Sequence, residues 1–216
     1  MSITQKEDKH DMADLFAPAP TDNLLPYDGQ VNDLGIVIED TEALYDNLLN
    51  DLPWQSDIVT LFGKTHVTTR KIVWMGDTEA DYQYSGHTRQ TVPWSDTVFH
   101  VKRMIEQQLA SIGVNADFNT CLLNYYPTGT DGMGYHADDE KELGHQPIIA
   151  SLSLGATRKF VFKHKKTQDK VELHLESGQL VVMHGNTQSF WKHTITKTKQ
   201  VETGRISLTF RRMLNV

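Results

Sequence analysis

Apolar and polar residues alternate along this chain in two distinct rhythms. From Val98 to Ile112, Val98, Val101, Ile105, Leu109 and Ile112 recur at helical spacing, which predicts an amphipathic helix over about Trp94–Ile112. Ser95 or Asp96 can cap it, and Gly113 stops it. A second helix is expected over 41–50, with Asp40 or Thr41 as its cap and Leu44, Leu48 and Leu49 on its apolar face. After Asp117 the period changes. Segments 117–126, 148–154, 158–164, 171–175, 179–184, 190–196 and 205–212 read as short strands. Turn signals separate them at Pro127-Thr128-Gly129, Lys165–Lys170 and Ser177-Gly178. Residues 1–22 show no sustained period and read as a flexible acidic tail. The fold expected is mainly β with flanking helices: a double-stranded β-helix (jelly roll, cupin-like) at 117–216, an N-terminal extension at 23–116, and a single domain over 23–216.

Two strands carry more than packing. In Arg205-Ile206-Ser207-Leu208-Thr209-Phe210-Arg211, both arginines share a face with Ser207 and Thr209, while Ile206, Leu208 and Phe210 face the other way. In the strand ending at Tyr126, Asn124 and Tyr126 share a face, and Cys121 alternates away as a small buried residue. Buried cations need partners, so the arginine-bearing face points to anionic ligands. His136 and Asp138 would project together if locally extended, with Gly132 and Gly134 allowing close backbone approach, and His193 follows 57 positions later. Two imidazoles and one carboxylate can hold one face of an octahedral ferrous ion and leave three positions open. A nearby arginine supplies charge for a carboxylate-bearing co-substrate. The set points to an Fe(II), 2-oxoglutarate-dependent oxygenase, with His184 as the competitor for the third ligand position. His164 and His174 read as surface groups.

Composition adds context. Only one cysteine is present and no apolar run is long enough to span a bilayer, so an intracellular, cytoplasmic protein is expected, monomeric by default and with no membrane partner. The net charge of -7 is uneven: residues 1–60 carry 13 acidic and two basic residues (-11), and 61–216 carry 15 acidic and 19 basic (+4). Arg158, Lys159, Lys163, Lys165, Lys166 and Lys170 form a cluster that reads either as a phosphate-contacting patch or as a solvated hairpin end.

Residues from about Asn23 to Arg212 resemble the AlkB family of oxidative dealkylases, most densely in Asn124-Tyr125-Tyr126, His136-Ala137-Asp138-Asp139-Glu140, Trp191-Lys192-His193 and Arg205–Arg211. Ser207 departs from the pattern, since the family often has Asn there. The resemblance implies iron ligands at His136, Asp138 and His193. It implies that Arg205 pairs with the distal carboxylate of 2-oxoglutarate, helped by Asn124 and Tyr126, and that Arg211 meets the metal-proximal carboxylate. Before the core it implies a nucleotide-recognition lid that includes Arg70, Trp74, Tyr82 and Tyr84, with Trp74 and Tyr84 stacking on an extracted base. Trp74 and Tyr82 could instead merely cover the barrel mouth. Asp139 and Glu140 would meet an exocyclic amine or a cationic ring; Glu140 could equally support the ligands. The implied reaction consumes O2 and 2-oxoglutarate, yields succinate and carbon dioxide, and removes methyl groups as formaldehyde from N1-methyladenine or N3-methylcytosine in DNA. RNA, or a protein or lipid substrate, is the runner-up.

Overall fold

A computed structural model describes residues 19–61, 64–77, 82–84, 87–89 and 91–214. In chain order they form β1 (Gln30–Ile36), α1 (Thr41–Asp51), β2 (Gln55–Leu61), β3 (Lys64–Gly76), β4 (Tyr82–Tyr84), β5 (His87–Arg89), α2 (Asp96–Ser111), β6 (Thr120–Tyr126) and β7 (Met133–His136). The second half adds β8 (Ile149–Gly155), β9 (Arg158–His164), β10 (Lys170–Leu175), β11 (Gln179–His184), α3 (Thr187–Phe190), β12 (Trp191–Ile195) and β13 (Arg205–Arg211). Seven strands make the major antiparallel sheet in the order β1-β11-β8-β13-β6-β3-β2, and four make the minor sheet in the order β10-β9-β12-β7.

Period-two alternation decides which side of the major sheet does what. One side of β6, β8 and β13 presents Cys121, Leu123, Ala150, Leu152, Leu154, Leu208 and Phe210, and α2 covers it with Val98, Val101, Ile105 and Leu109. The helix starts where Ser95 Oγ accepts from the Val98 N–H at 3.2 Å, and the chain leaves it through Gly113 at φ +81. Asp40 caps α1 in the same way, accepting from the Ala43 N–H. The opposite side of the sheet faces the minor sheet. There Val31, Ile149, Val181 and Met183 pack against Phe160, Phe162, Leu175 and Trp191. That inter-sheet layer is apolar at one end and polar at the other, as expected of a jelly roll holding a site at one mouth.

Three strands of the major sheet, β1, β2 and β3, come from the N-terminal extension, where only helices and a lid were expected. β1 carries Asn32 and Asp33 between its apolar positions, which hides the alternation. It becomes a strand because β11 offers an open edge to pair with. Two side chains, Arg158 of the basic cluster and His164, also lie elsewhere than expected. Arg158 is 1% exposed and donates to the carbonyls of Thr128, Gly129, Asp131 and Thr196, so it clamps two loops rather than facing solvent. His164 is buried against Tyr27, Phe190 and Trp191, and its Nδ1 accepts from the Thr167 N–H at 3.0 Å. The N-terminal turn folding over the β9–β10 hairpin covers it, a long-range packing event that local polarity does not reveal. Of the two glycines before His136, a side chain at Gly132 would meet the Ile195 carbonyl at 2.7 Å, whereas Gly134 faces open space.

Candidate metal and co-substrate site

β12 pairs with β7 so that His193 lies directly opposite His136, and Asp138 follows two residues past the end of β7. Among the described residues, His136, Asp138 and His193 bring their ligand atoms within 4.8 Å of one another. The two imidazoles meet edge-on at 4.2 Å between ring centroids, and His193 stacks on Phe160 at 5.4 Å. His136 Nδ1 lies 3.0 Å from the Gly134 carbonyl. A carbonyl can only accept, so Nδ1 carries the proton and Nε2 keeps its lone pair for a metal.

The protonation states suit a cation. Burial raises the Asp138 carboxyl, but Arg211, His193 and His136 outweigh it and hold the group down to about 2. Arg211 Nη2 sits 3.1 Å from both Asp138 oxygens, so it serves the metal-ligand carboxylate directly. Burial, reinforced by His136, pushes His193 down to about 3, leaving a neutral imidazole at physiological pH. Metal ligands must be deprotonated, and Asp138 and His193 are. His184, the competitor, instead turns Nε2 to Asn32 Oδ1 at 2.8 Å.

A second cluster lies on the neighbouring strands. In-register pairing places Arg205 beside Tyr126 and Ser207 beside Asn124. Arg205 is 1% exposed. Its Nη2 donates to Ser153 Oγ at 2.7 Å, and its Cζ lies 5.6 Å from the Tyr126 ring centroid. Its Nε and Nη1 have no protein partner. Burial lowers its pKa to about 10, so it stays cationic at neutral pH. A buried cation with two unserved donors is costly unless an anion meets it, and a dicarboxylate such as 2-oxoglutarate fits. Asn124, Tyr126, Arg205 and Arg211 line one cavity with the His-Asp-His set. The residues present therefore fit both Fe(II) and 2-oxoglutarate.

The remaining candidates divide. Trp74 and Glu140 line the same cavity. Trp74 packs with Ile72, Leu122, Leu143 and Met213. Glu140 Oε2 is buried without a partner, and burial and then Asp138 raise its pKa. Asp139 is exposed and pairs with Lys165 Nζ at 3.2 Å. Arg70, expected to touch substrate, is instead 7% exposed and pairs with buried Asp57. Tyr82 and Tyr84 fall in β4, paired with β5; their side chains lie outside the described residues, as does the tail over 1–18.

Two residues near the site escaped the sequence reading. Ser153 had a signal: Ser151 and Ser153 alternate with Ala150, Leu152 and Leu154 in β8, the same polar-inward rhythm as β13. Gln188 had none. It is 2% exposed, and its Oε1 accepts the Asp138 N–H at 2.9 Å across 50 residues of chain. Gln188→Leu should leave that N–H buried and unpaired and loosen the carboxylate, weakening metal affinity by about 10–100-fold. Titration of the purified variant with Mn(II) measures this; affinity equal to the parent's would remove Gln188 from the site.

Comparison with known proteins agrees with the geometry. Residues 38–211 match the 2OG-Fe(II) oxygenase superfamily. The chain is 38% identical over 164 residues to the DNA oxidative demethylase ALKBH2 of Bos taurus, covering 72% of this chain and 57% of that protein. It is 37% identical over 165 residues to the human ALKBH2, covering 72% and 61%. It is 33% identical over 184 residues to the alpha-ketoglutarate-dependent dioxygenase alkB homolog 3 of Bos taurus, covering 81% and 62%. The chain thus spans about three fifths of the length of these curated relatives. In fold, it is similar to the solved structure of OsALKBH1 at a TM-score of 0.59 and 15% identity, covering 87% of this chain and 98% of that one. It is similar at the same score and identity to an oxidoreductase of the 2OG-Fe(II) oxygenase family from Burkholderia pseudomallei, covering 87% and 88%. The chain belongs to the AlkB family of the 2OG-Fe(II) oxygenase superfamily.

Proposed function

We propose that this protein is an Fe(II)- and 2-oxoglutarate-dependent oxygenase that removes methyl groups from N1-methyladenine and N3-methylcytosine in DNA. The observation that carries the reading is one cavity lined by the His136, Asp138 and His193 triad and a buried arginine with two unserved donors. The curated relatives named DNA oxidative demethylase supply the substrate class. In this reading His136, Asp138 and His193 hold the metal, and Arg205 meets the distal carboxylate of 2-oxoglutarate. Asn124 directs its amide N–H groups at the co-substrate, because its Oδ1 already accepts from Arg70 at 3.0 Å. Arg211 keeps Asp138 ionised and oriented. Bound there, Fe(II) supplies O2 activation coupled to decarboxylation of 2-oxoglutarate to succinate, with hydroxylation of the N-methyl carbon. The resulting N-hydroxymethyl base releases formaldehyde.

Trp74 offers the base an apolar wall, and the unpartnered Glu140 oxygen offers an acceptor for an exocyclic amine or a cationic ring. Asp139 is left a lesser role, since Lys165 already neutralises it. Outside the barrel, Lys163 stands in register with Lys170 on one side and Lys192 on the other, a basic stripe suited to backbone phosphates.

The test is formaldehyde release, with repair followed by mass spectrometry, on matched DNA and RNA oligonucleotides carrying either methylated base. Methyl loss from DNA that needs both Fe(II) and 2-oxoglutarate supports the reading. Faster loss from RNA would move the substrate to RNA. Succinate formation without turnover of either oligonucleotide would retain the oxygenase and discard the nucleobase.

A further inference from the structure

We propose that Arg70, held by Asp57 across an irregularity in the β2–β3 hairpin, is a positioning residue that orients Asn124 for 2-oxoglutarate. The inference rests on the reading of Asn124, Tyr126 and Arg205 as the co-substrate cradle.

Pairing of β2 with β3 runs through Ser56↔Lys71, then shifts and resumes at Ile58↔Val67. Asp57 alone therefore stands opposite Thr68, Thr69 and Arg70. A bulge of this kind re-aims side chains, and here it turns an acid and a base toward the barrel. Thr68 Oγ1 fastens the bulge, lying 3.1 Å from the Asp57 carbonyl and 2.9 Å from the Arg70 carbonyl. Thr69 Oγ1 donates to Asp131 Oδ1, in the loop leading to β7.

Arg70 shares its face of β3 with Ile72 and Trp74, the face that looks at the cavity. Its guanidinium is forked between three groups. Nη2 pairs with Asp57 Oδ2, Nη1 donates to Asn124 Oδ1 at 3.0 Å, and Nη1 also lies 3.9 Å from Met133 Sδ. Asp57 is 1% exposed and Arg70 7%, so the bulge builds a buried ion pair beside the cradle. Such a pair contributes little net stability compared with an apolar pair of the same volume. What the fork contributes is orientation.

An asparagine amide can present either oxygen or nitrogen to a ligand, and only its partners decide which. Donation from Arg70 to Oδ1 forces Nδ2 to be the end available to a carboxylate. Without the guanidinium, the amide is free to turn its oxygen toward the co-substrate, where it repels. Because Asp57 and Arg70 belong to the hairpin, anything that displaces β2 from β3 reaches the co-substrate through this contact.

The experiment is calorimetric titration of 2-oxoglutarate into the Mn(II)-loaded protein, which reads binding without turnover. Arg70→Lys keeps the charge beside Asp57 but loses the fork. It should weaken 2-oxoglutarate binding about tenfold, the size of one or two lost charge-assisted hydrogen bonds, with Mn(II) affinity unchanged. In steady-state assays its KM for 2-oxoglutarate should rise by the same factor while kcat at saturating co-substrate holds. The double variant Asp57→Leu/Arg70→Met removes both charges together; it should melt close to the parent and still show the loss. Parent-like binding in Arg70→Lys, or in a folded double variant, overturns the inference and leaves the pair a packing feature. An equal loss of Mn(II) affinity also overturns it, since that marks general loosening. Arg205→Met is the control: if it binds 2-oxoglutarate normally, the cradle reading itself has failed.

Discussion

Asp138→Ala should abolish turnover and also lower global stability by about 3 kcal/mol, whereas His136→Ala should abolish turnover at nearly unchanged stability. Both residues are proposed ligands, so both variants lose the metal. They differ in what they leave behind. Asp138 is 2% exposed and accepts twice from Arg211, itself 8% exposed. Removing the carboxylate takes two 3.1 Å contacts from that buried guanidinium and opens a void beside it, and breaking a buried ion pair is costly. His136 is half-buried at the end of β7, and its hydrogen bond to the Gly134 carbonyl spans two residues, so its loss disturbs little packing. Urea denaturation of the metal-free proteins, followed by far-ultraviolet circular dichroism, separates the two effects. An Asp138→Ala midpoint equal to that of His136→Ala would show that Arg211 does not depend on this carboxylate, and turnover surviving in either would end the metal assignment.

Arg205→Met should raise the dissociation constant for 2-oxoglutarate by about 30-fold or more, because truncating one member of a buried charge pair costs at least about 2 kcal/mol. The substitution keeps the length of the stem and removes the cation. Fold stability should hold or improve, since the arginine is buried with Nε and Nη1 unserved by protein and its charge is carried for a ligand rather than for packing. Ser153→Ala, which removes a neutral acceptor at 2.7 Å from Arg205, should cost only about 0.5–1.5 kcal/mol of the same affinity. Anaerobic titration of the metal-loaded variants orders the three proteins. If Arg205→Met bound 2-oxoglutarate as tightly as the parent, the anion would have to be met by a different group.

The parts of the site that were legible in the amino-acid order are those made by local periodicity. β13 alternates Arg205, Ser207, Thr209 and Arg211 against Ile206, Leu208 and Phe210, and backbone geometry alone assigns the polar set to one face. The structure lines the cavity with that set and packs the other against α2. β8 follows the same rule, and its Ser153 was readable by it. Arg70 shows where such reading stops. As one residue in a polar run, Thr68-Thr69-Arg70-Lys71, it reads as an exposed base, and only the tertiary pairing with buried Asp57 accounts for its burial. Gln188 and Asp138 are 50 positions apart, and nothing local to either marks the contact. Arg158 and His164 belong with them, buried by loops and a turn that arrive from distant chain.

By itself, then, the sequence determined the class of fold, the two helices that cover it, the metal-binding residue types and the family, because each depends on short-range period or on a motif of fixed spacing. Only the tertiary structure decided which charges are exposed and which are buried, that β1, β2 and β3 complete the major sheet, and how Arg211, Gln188 and Arg70 hold the groups that would hold the ligands. The physical reason is that burial and hydrogen-bond partnership are properties of two surfaces meeting. A polar side chain carries the same propensity whether it ends in water or opposite a buried carboxylate, and the choice is made when the sheets close.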